Sequence, residues 1–446
     1  MSENQLSRRE ILQSGALATA VVCGVWSERG TAAARSPNEK IRLAAIGVTG
    51  MGGTDLREIA KLDGVVVAAL CDVDEERLEK AAKLHPQATN YVDFRQMLEQ
   101  EEKNIDIVSV GTPDHIHAPA SLMAMKMGKH CYCQKPLAHN VIEVRSMAKI
   151  AAEKKLVTQM GTQMHASEHF HQAVEIIQAG VIGPVHEVVA WFNHPWPFGT
   201  KRSLGDFPAP KNLHWDLWLG PALTRPYAPE SYHPAHWRRW WDFGAGLLGD
   251  MGCHLLDLPY WALGLRHPLT VAAEGRAVDP ERSPDGLTVH WEFPSTNGKP
   301  GVKLTWHDGN LVPVSGDRAM IAGHAVPKMG VMFLGKDGEL FIDYQGYKLY
   351  PEDKFREFSR PTPTIPRSIG HWAEWVKGCR EGTATASNFD YASRLAETVL
   401  LGNVAYRSGK KLAWDAAACK AVNCPEADQF LRREYRQGWE LQTDQP

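Results

Sequence analysis

The segment Gly47-Val48-Thr49-Gly50-Met51-Gly52-Gly53 follows directly on the apolar run Ile41–Ile46 and leads into helical periodicity at Leu56, Ile59 and Ala60. A buried strand that turns through several glycines into a helix brings backbone N–H groups and the positive helix end to one point, where a pyrophosphate can be held. Gly47, Thr49, Gly50, Met51 and Gly52 are therefore candidate cofactor contacts. The spacing is G-x-x-G-x-G-G, not the strict dinucleotide fingerprint, and a turn that merely needs glycines would read the same way. The rest of the chain has to decide.

A second apolar run over 65–70 ends at Cys71-Asp72, and a charged helix over 74–84, a helix over 94–100 and a strand over 105–110 follow. A helix over 121–127, a strand at 130–133, a helix over 141–154 and a last strand over 156–159 continue the alternation. Strands alternating with helices mean βαβ units and a parallel sheet. Beyond a helix over 167–178, period-2 segments occur at 185–193, 271–278, 287–293, 302–306, 331–334 and 339–344, with helices at 368–379 and 391–407. The expected class is α/β: a doubly wound parallel sheet, then an α+β domain with a large, open, mostly antiparallel sheet. The expected divisions are 1–37, a leader and linker; 38–165, the dinucleotide domain; 166–420, the substrate and oligomerisation domain; and 421–446, a tail.

Composition removes other classes. Forty-nine Lys+Arg against 52 Asp+Glu give a net charge of −3, which argues against nucleic-acid binding. Apart from a weak stretch near the N-terminus, no apolar run reaches the length of a membrane span. Eight Cys without paired CxxC units make neither a disulfide framework nor a zinc ribbon. Arg8-Arg9, the mildly apolar stretch 16–26 and Ala32-Ala33-Ala34 stand in the order of a twin-arginine secretion signal, despite Ile11 and Gln13 at its usual Phe and Lys positions. Periplasmic or secreted location is the expectation, without a lipid anchor at Cys23.

Asp72 ends the second strand about 20–25 residues after the glycines, where a carboxylate accepts from the ribose hydroxyls and repels a 2′-phosphate. NAD is thus favoured over NADP, with Arg77 the nearby cation that weakens the preference. Thr112 and Pro113 end the third strand at the ligand crevice, and His117 is given a hydrogen-bonding role beside them. Gln134 and Lys135, followed by Pro136, sit at the mouth of the same crevice. In the second half, Asp250 and His254 are four apart, neighbours on one helix face, and Asp257 continues it. An Asp–His couple orients an imidazole and raises its basicity, which suits proton removal from an alcohol. Eight of the fifteen Trp fall between 191 and 261, and flat rings stack on pyranose faces, although about half are expected to fill core. Trp237, Arg238 and His165 are the candidate substrate contacts from this half. His165, His169 and His171 also offer a metal reading; His165 and His169 share a helical face, but the sequence establishes no third ligand, so no metal is assigned.

The ordered set of glycine turn, Asp72, Thr112-Pro113-x-x-x-His117, Lys135-Pro136 and Asp250-x-x-x-His254 resembles the Gfo/Idh/MocA family of oxidoreductases over residues 38–415. The resemblance implies that Lys135 touches the nicotinamide ribose and the substrate, that His254 is the catalytic base, and that Asp250 binds substrate and tunes it. One departure is Gln134, where the family carries Glu; an amide cannot pair ionically with Lys135. The segments 215–221 and 236–244 look most like secreted bacterial members. Three functions follow as expectations: oxidation of a secondary hydroxyl of a sugar, polyol or glycoside with bound NAD; a redox-neutral NAD-dependent glycosidase working by oxidation, elimination and reduction; or a non-catalytic partner. The resemblance also implies a homo-oligomer, dimer or tetramer.

Overall fold

Strand β1 (Ile41–Ile46) is buried at nearly every position and runs into helix α1 (Gly50–Ala60). This is the pattern of a parallel strand covered on both faces. The computed structural model describes residues 40–193, 202–203, 205–295, 300–315 and 318–441; the leader with Arg8 and Arg9, and Trp196, lie outside them. After α1 come β2 (Val65–Cys71), α2 (Glu75–Ala82), β3 (Thr89–Tyr91), α3 (Phe94–Gln100), β4 (Ile107–Val110), α4 (Asp114–Lys126), β5 (His130–Cys133), α5 (Val141–Glu153) and β6 (Thr158–Met160). Asp74, Asp93 and Asn140 cap α2, α3 and α5 by accepting from backbone N–H groups. The six strands form one sheet in the order β3-β2-β1-β4-β5-β6, parallel throughout. The order reverses between β1 and β4. A crevice opens there, with the glycine turn on one side and Gly111-Thr112 on the other.

The second half begins with α6 (Glu168–Gln178), β7 (Val185–Phe192), a short α7 (Trp215–Leu219) and α8 (Cys253–Leu263), then β8 (Thr270–Gly275), β9 (Leu287–Phe293) and β10 (Val302–Asp308). A small sheet of β11 (Val314–Ser315), β12 (Arg318–Ile321) and β13 (His324–Val326) precedes β14 (Met329–Gly335), β15 (Glu339–Ile342) and β16 (Tyr347–Tyr350). Helices α9 (His371–Glu381) and α10 (Phe389–Ser408) and strands β17 (Leu412–Asp415) and β18 (Lys420–Ala421) complete it. The large sheet has nine strands in the order β16-β15-β14-β7-β10-β9-β8-β17-β18. Its one parallel pair is β7 with β10, and the rest are antiparallel.

The halves share a core. One apolar cluster runs from Val108 and Cys133 of the first sheet through Val399 of α10 to Trp291 and Trp306 of the second. Helix α9 returns to the first sheet and buries Trp375 and Val376 with Leu43 and Ile59.

Two expectations change in detail. The helix expected over 121–127 starts at Asp114, with Pro119 inside it, so Asp114, His115 and His117 stand on a helix and not in a turn. The strand expected over 271–278 stops at Gly275. In the segment expected as a tail, Trp439 packs on Phe94, and the Arg95 guanidinium lies 4.1 Å from its ring centre.

Candidate active site

The crevice at the reversal point is a cleft of about 330 Å³, lined by Gly47, Thr49, Gly50, Met51, Asp72, Thr112, Pro113, Gln134 and Lys135. Two glycines are dictated by backbone approach. A Cβ on Gly52 would lie 2.1 Å from the Gly47 carbonyl oxygen and 2.8 Å from that of Gly111, and Gly47 has φ +79°. Gly52 therefore shapes the turn without lining the cleft. Both Asp72 oxygens accept from backbone N–H, one from Val48 and one from Asp74, each at 3.1 Å. Burial pushes this carboxyl up to about 6, so it is ionised at neutral pH and repels a phosphate beside it. Arg77 is committed to Asp74 at 3.1 Å and to the Thr49 hydroxyl at 2.5 Å. The turn, the helix start and the ionised Asp72 fit a dinucleotide.

The far wall comes from the aromatic loop and the C-terminus. Asn212 and His233 bind the Asp74 carboxylate at 2.8 and 2.9 Å, and His214 binds Glu75 at 2.6 Å. These contacts strap the loop across the residues that follow Asp72, bringing Trp218, His233 and Trp237 to the cleft, where Trp439 joins them from its place against Phe94. The expected carbohydrate-stacking set shrinks accordingly. Trp191, Trp240 and Trp241 are core, and Trp215 stacks on Trp218. His214 and His233 serve the strap, and Arg239 is buried against Asp285.

At the inner end, the Lys135 ammonium donates to the Asp250 backbone oxygen at 2.7 Å and to its carboxylate at 2.5 Å; Arg238 Nε donates to the same carboxylate oxygen at 3.1 Å. Burial works against ionising Asp250, but the two cations outweigh it and hold the carboxyl well below the usual range. Arg238 also lies 4.3 Å from the Trp237 ring centre. Asp114, which the sequence reading passed over, stands at the start of α4 and accepts from Ala245 N at 3.0 Å; burial pushes it up to about 7 despite Arg238 and Lys135. Its signal was available in the Pro-Asp pair, a helix-start pattern. His117 does not line the cleft. Its ring bridges the carbonyls of Pro136 and Thr112 at 2.8 and 2.9 Å, tying the β4 turn to the Lys135 segment.

Gln134 has a partner that no local pattern announces. Its amide donates to Asp55 Oδ2 at 2.7 Å, while Tyr132 and Trp372 donate to Asp55 Oδ1 at 3.1 and 2.9 Å. Burial raises Asp55 to about 6, against these three donors. The buried acid of this corner thus sits on α1, and residue 134 supplies the amide.

The expected Asp250–His254 couple is not made. Residues Leu248–Gly252 form a π-helical turn, which rotates Asp250 relative to the α-helical register assumed for an i, i+4 pair. Asp250 is taken by the two cations, and His254 Nδ1 is buried without a hydrogen-bond partner. Burial, then Lys135, pushes His254 down to about 3, with Asp250 opposing; the ring is neutral at physiological pH. The carboxylate-held imidazole is instead His165, whose Nδ1 lies 2.9 and 3.0 Å from the Asp257 oxygens. No group of three or more His, Cys, Asp or Glu among the described residues is placed to hold a metal.

The oxidoreductase-family model for the NAD-binding Rossmann fold matches residues 41–162, and that family's C-terminal alpha/beta domain matches 169–441. A glycosyl hydrolase family 109 protein of Solibacter usitatus is 26% identical over 208 residues, 43% of this chain and 47% of that protein. A myo-inositol 2-dehydrogenase of Thermotoga maritima is 24% identical over 157 residues, 35% and 46% of the two chains. The matches span about half the length of these curated relatives. Among solved structures, levoglucosan dehydrogenase in complex with NADH superposes with a TM-score of 0.58 at 17% identity, over 84% of this chain and 98% of that one.

Proposed function

The chain belongs to the Gfo/Idh/MocA family of NAD-binding oxidoreductases, and on that premise we propose that it oxidises a secondary hydroxyl of a sugar, polyol or glycoside. Bound NAD supplies the hydride acceptor. The observation that carries the reading is the Lys135–Asp250–Arg238 bridge at the inner end of the cleft, with the unpartnered His254 nitrogen in its electrostatic field.

Asp250 draws the Lys135 ammonium toward the inner end of the cleft, where it can donate to a substrate hydroxyl and stabilise oxyanion character there. His254, neutral because burial and Lys135 oppose its charge, is in the form that accepts a proton. The ring gains a hydrogen bond when a hydroxyl arrives, which favours substrate binding. Trp237 and Arg238 form the wall against which the ring is placed. His254→Ala is expected to retain NAD and lose turnover on a panel of sugars, polyols and glycosides. Full activity in that variant overturns the assignment.

The glycosyl hydrolase relatives and the strap across the cofactor cleft favour a second reading, a redox-neutral glycosidase. Product analysis without added cofactor separates the two: sugar release with no net NADH marks the glycosidase, and a released ketosugar the dehydrogenase. We further propose export through the twin-arginine route, tested by whether Arg8→Lys/Arg9→Lys keeps the protein in the cytoplasm. Assembly as a homo-oligomer through the open sheet is tested by native mass spectrometry.

A further inference from the structure

Asp257 lies three residues beyond His254 on α8, hence on the same helix face. Its carboxylate is fully buried and holds His165 Nδ1 at 2.9 Å, while the Tyr391 hydroxyl donates to its Oδ1 at 2.7 Å and to its backbone oxygen at 3.0 Å. The His165 ring is clamped, stacked on Trp261 with centroids 4.1 Å apart and 12° between planes, with Tyr391 edge-on at 5.4 Å. Its Nε2 makes no hydrogen bond among the described residues. Helix α8 carries both His254 and Asp257 and so ties this pair to the site already described, with His165 4% exposed and set behind the residues that line the cleft. Tyr344 is in the field of both Asp257 and Asp250, and His371 in the field of both His165 and His254. The titratable groups around His165 are thus Asp257, Tyr391, His371 and His171.

A carboxylate that fixes one imidazole nitrogen leaves the other as the working acceptor and stabilises the imidazolium formed. His254 lacks that support and His165 has it. We propose that His165, oriented by Asp257 and Tyr391, is a second proton-transfer group of this site, acting on a hydroxyl or a carbonyl-acidified C–H of the sugar ring that His254 also faces. The Nε2 lone pair forms an N–H bond as the substrate O–H or C–H bond breaks. The bonding electrons stay on the sugar, and Asp257 balances the imidazolium until the proton is returned. The proposal rests on the reading that a carbohydrate binds beside Lys135. An oxidation needs one proton acceptor, whereas an oxidation followed by elimination needs two, so a competent His165 gives the site the proton-transfer capacity of the glycosidase.

The test is chemical modification of the NAD-loaded, full-length protein with diethyl pyrocarbonate across pH, mapped by peptide mass spectrometry, with exposed His186 as internal standard. His165 is expected to react at Nε2 along a single titration, with the midpoint at least one pH unit lower in Asp257→Asn and that of His186 unmoved. Should Asp257→Asn fail to fold, Tyr391→Phe keeps the carboxylate, removes one of its donors and is expected to move the midpoint up. A His165 that stays unmodified while His186 is saturated, or a midpoint that neither variant moves, overturns the proposal. His165→Asn, in parallel, is expected to retain NAD and lose at least a hundredfold in kcat with KM changed less than threefold; unchanged kcat also overturns it. A parent protein inert toward every carbohydrate tested would sink the carbohydrate reading while the modification result still stands.

Discussion

The amide–acid pair at the inner wall of the cleft can be inverted by one substitution. Gln134→Glu places a second carboxylate 2.7 Å from Asp55. Asp55 is already raised from 3.8 to about 6, which is about 3 kcal/mol against its ionised form at about 1.4 kcal/mol per pH unit. The substitution removes a hydrogen bond to a charged group, worth about 1.5–3 kcal/mol, and adds like-charge repulsion at a site 1% exposed. At pH 8 the loss is expected to be about 3–5 kcal/mol. At pH 5 the two carboxyls can share one proton, and the loss should fall to about 1 kcal/mol. The sign follows from linkage: the folded pair binds its proton above the unfolded value, so that stability is present at low pH and lost as pH rises through the folded value. Urea unfolding of parent and variant at both pH values measures the difference. Asp55→Asn/Gln134→Glu, which swaps amide and acid, should recover most of the stability at pH 8. Equal losses at pH 5 and pH 8, or a double variant no better than the single, would refute the charge-placement argument.

Two further substitutions probe the cofactor cleft. Gly52→Ala drives a methyl into the backbone oxygens of Gly47 and Gly111 and should cost about 3 kcal/mol with loss of co-purifying NAD; Gly50→Ala, with open space around the same position, should cost about 1 kcal/mol, and thermal melts with cofactor quantitation separate them. Asp74→Ala removes the shared acceptor of Arg77, Asn212 and His233 and the cap of α2, so NAD should dissociate at least tenfold faster in a stopped-flow chase, for about 2 kcal/mol of stability.

The sequence carried the first sheet well, because a parallel strand buried on both faces reads as an uninterrupted apolar run and its Asp and Asn caps are local signals. It carried the second sheet as a class but not in full. Strands as short as Lys420–Ala421 and Thr89–Tyr91 have too few residues for a periodicity, and the parallel β7–β10 pair is a long-range choice. The cleft-facing glycines, Asp72 and Lys135 were legible since each sits at a strand end. The pairing of Asp250 was not, because a spacing of four to His254 presumes an α-helix, and the π turn at Leu248–Gly252 breaks that presumption. Asp55 and Trp439 reach the site from positions 79 residues before Gln134 and near the chain's end. No local pattern announces either.

That last indole has a consequence for cofactor exchange. The wall it forms beside Phe94 comes from a segment far along the chain from the glycine turn that lines the same cleft. While that segment is undocked the cradle lacks one wall, so exchange of the dinucleotide is expected to be coupled to its docking.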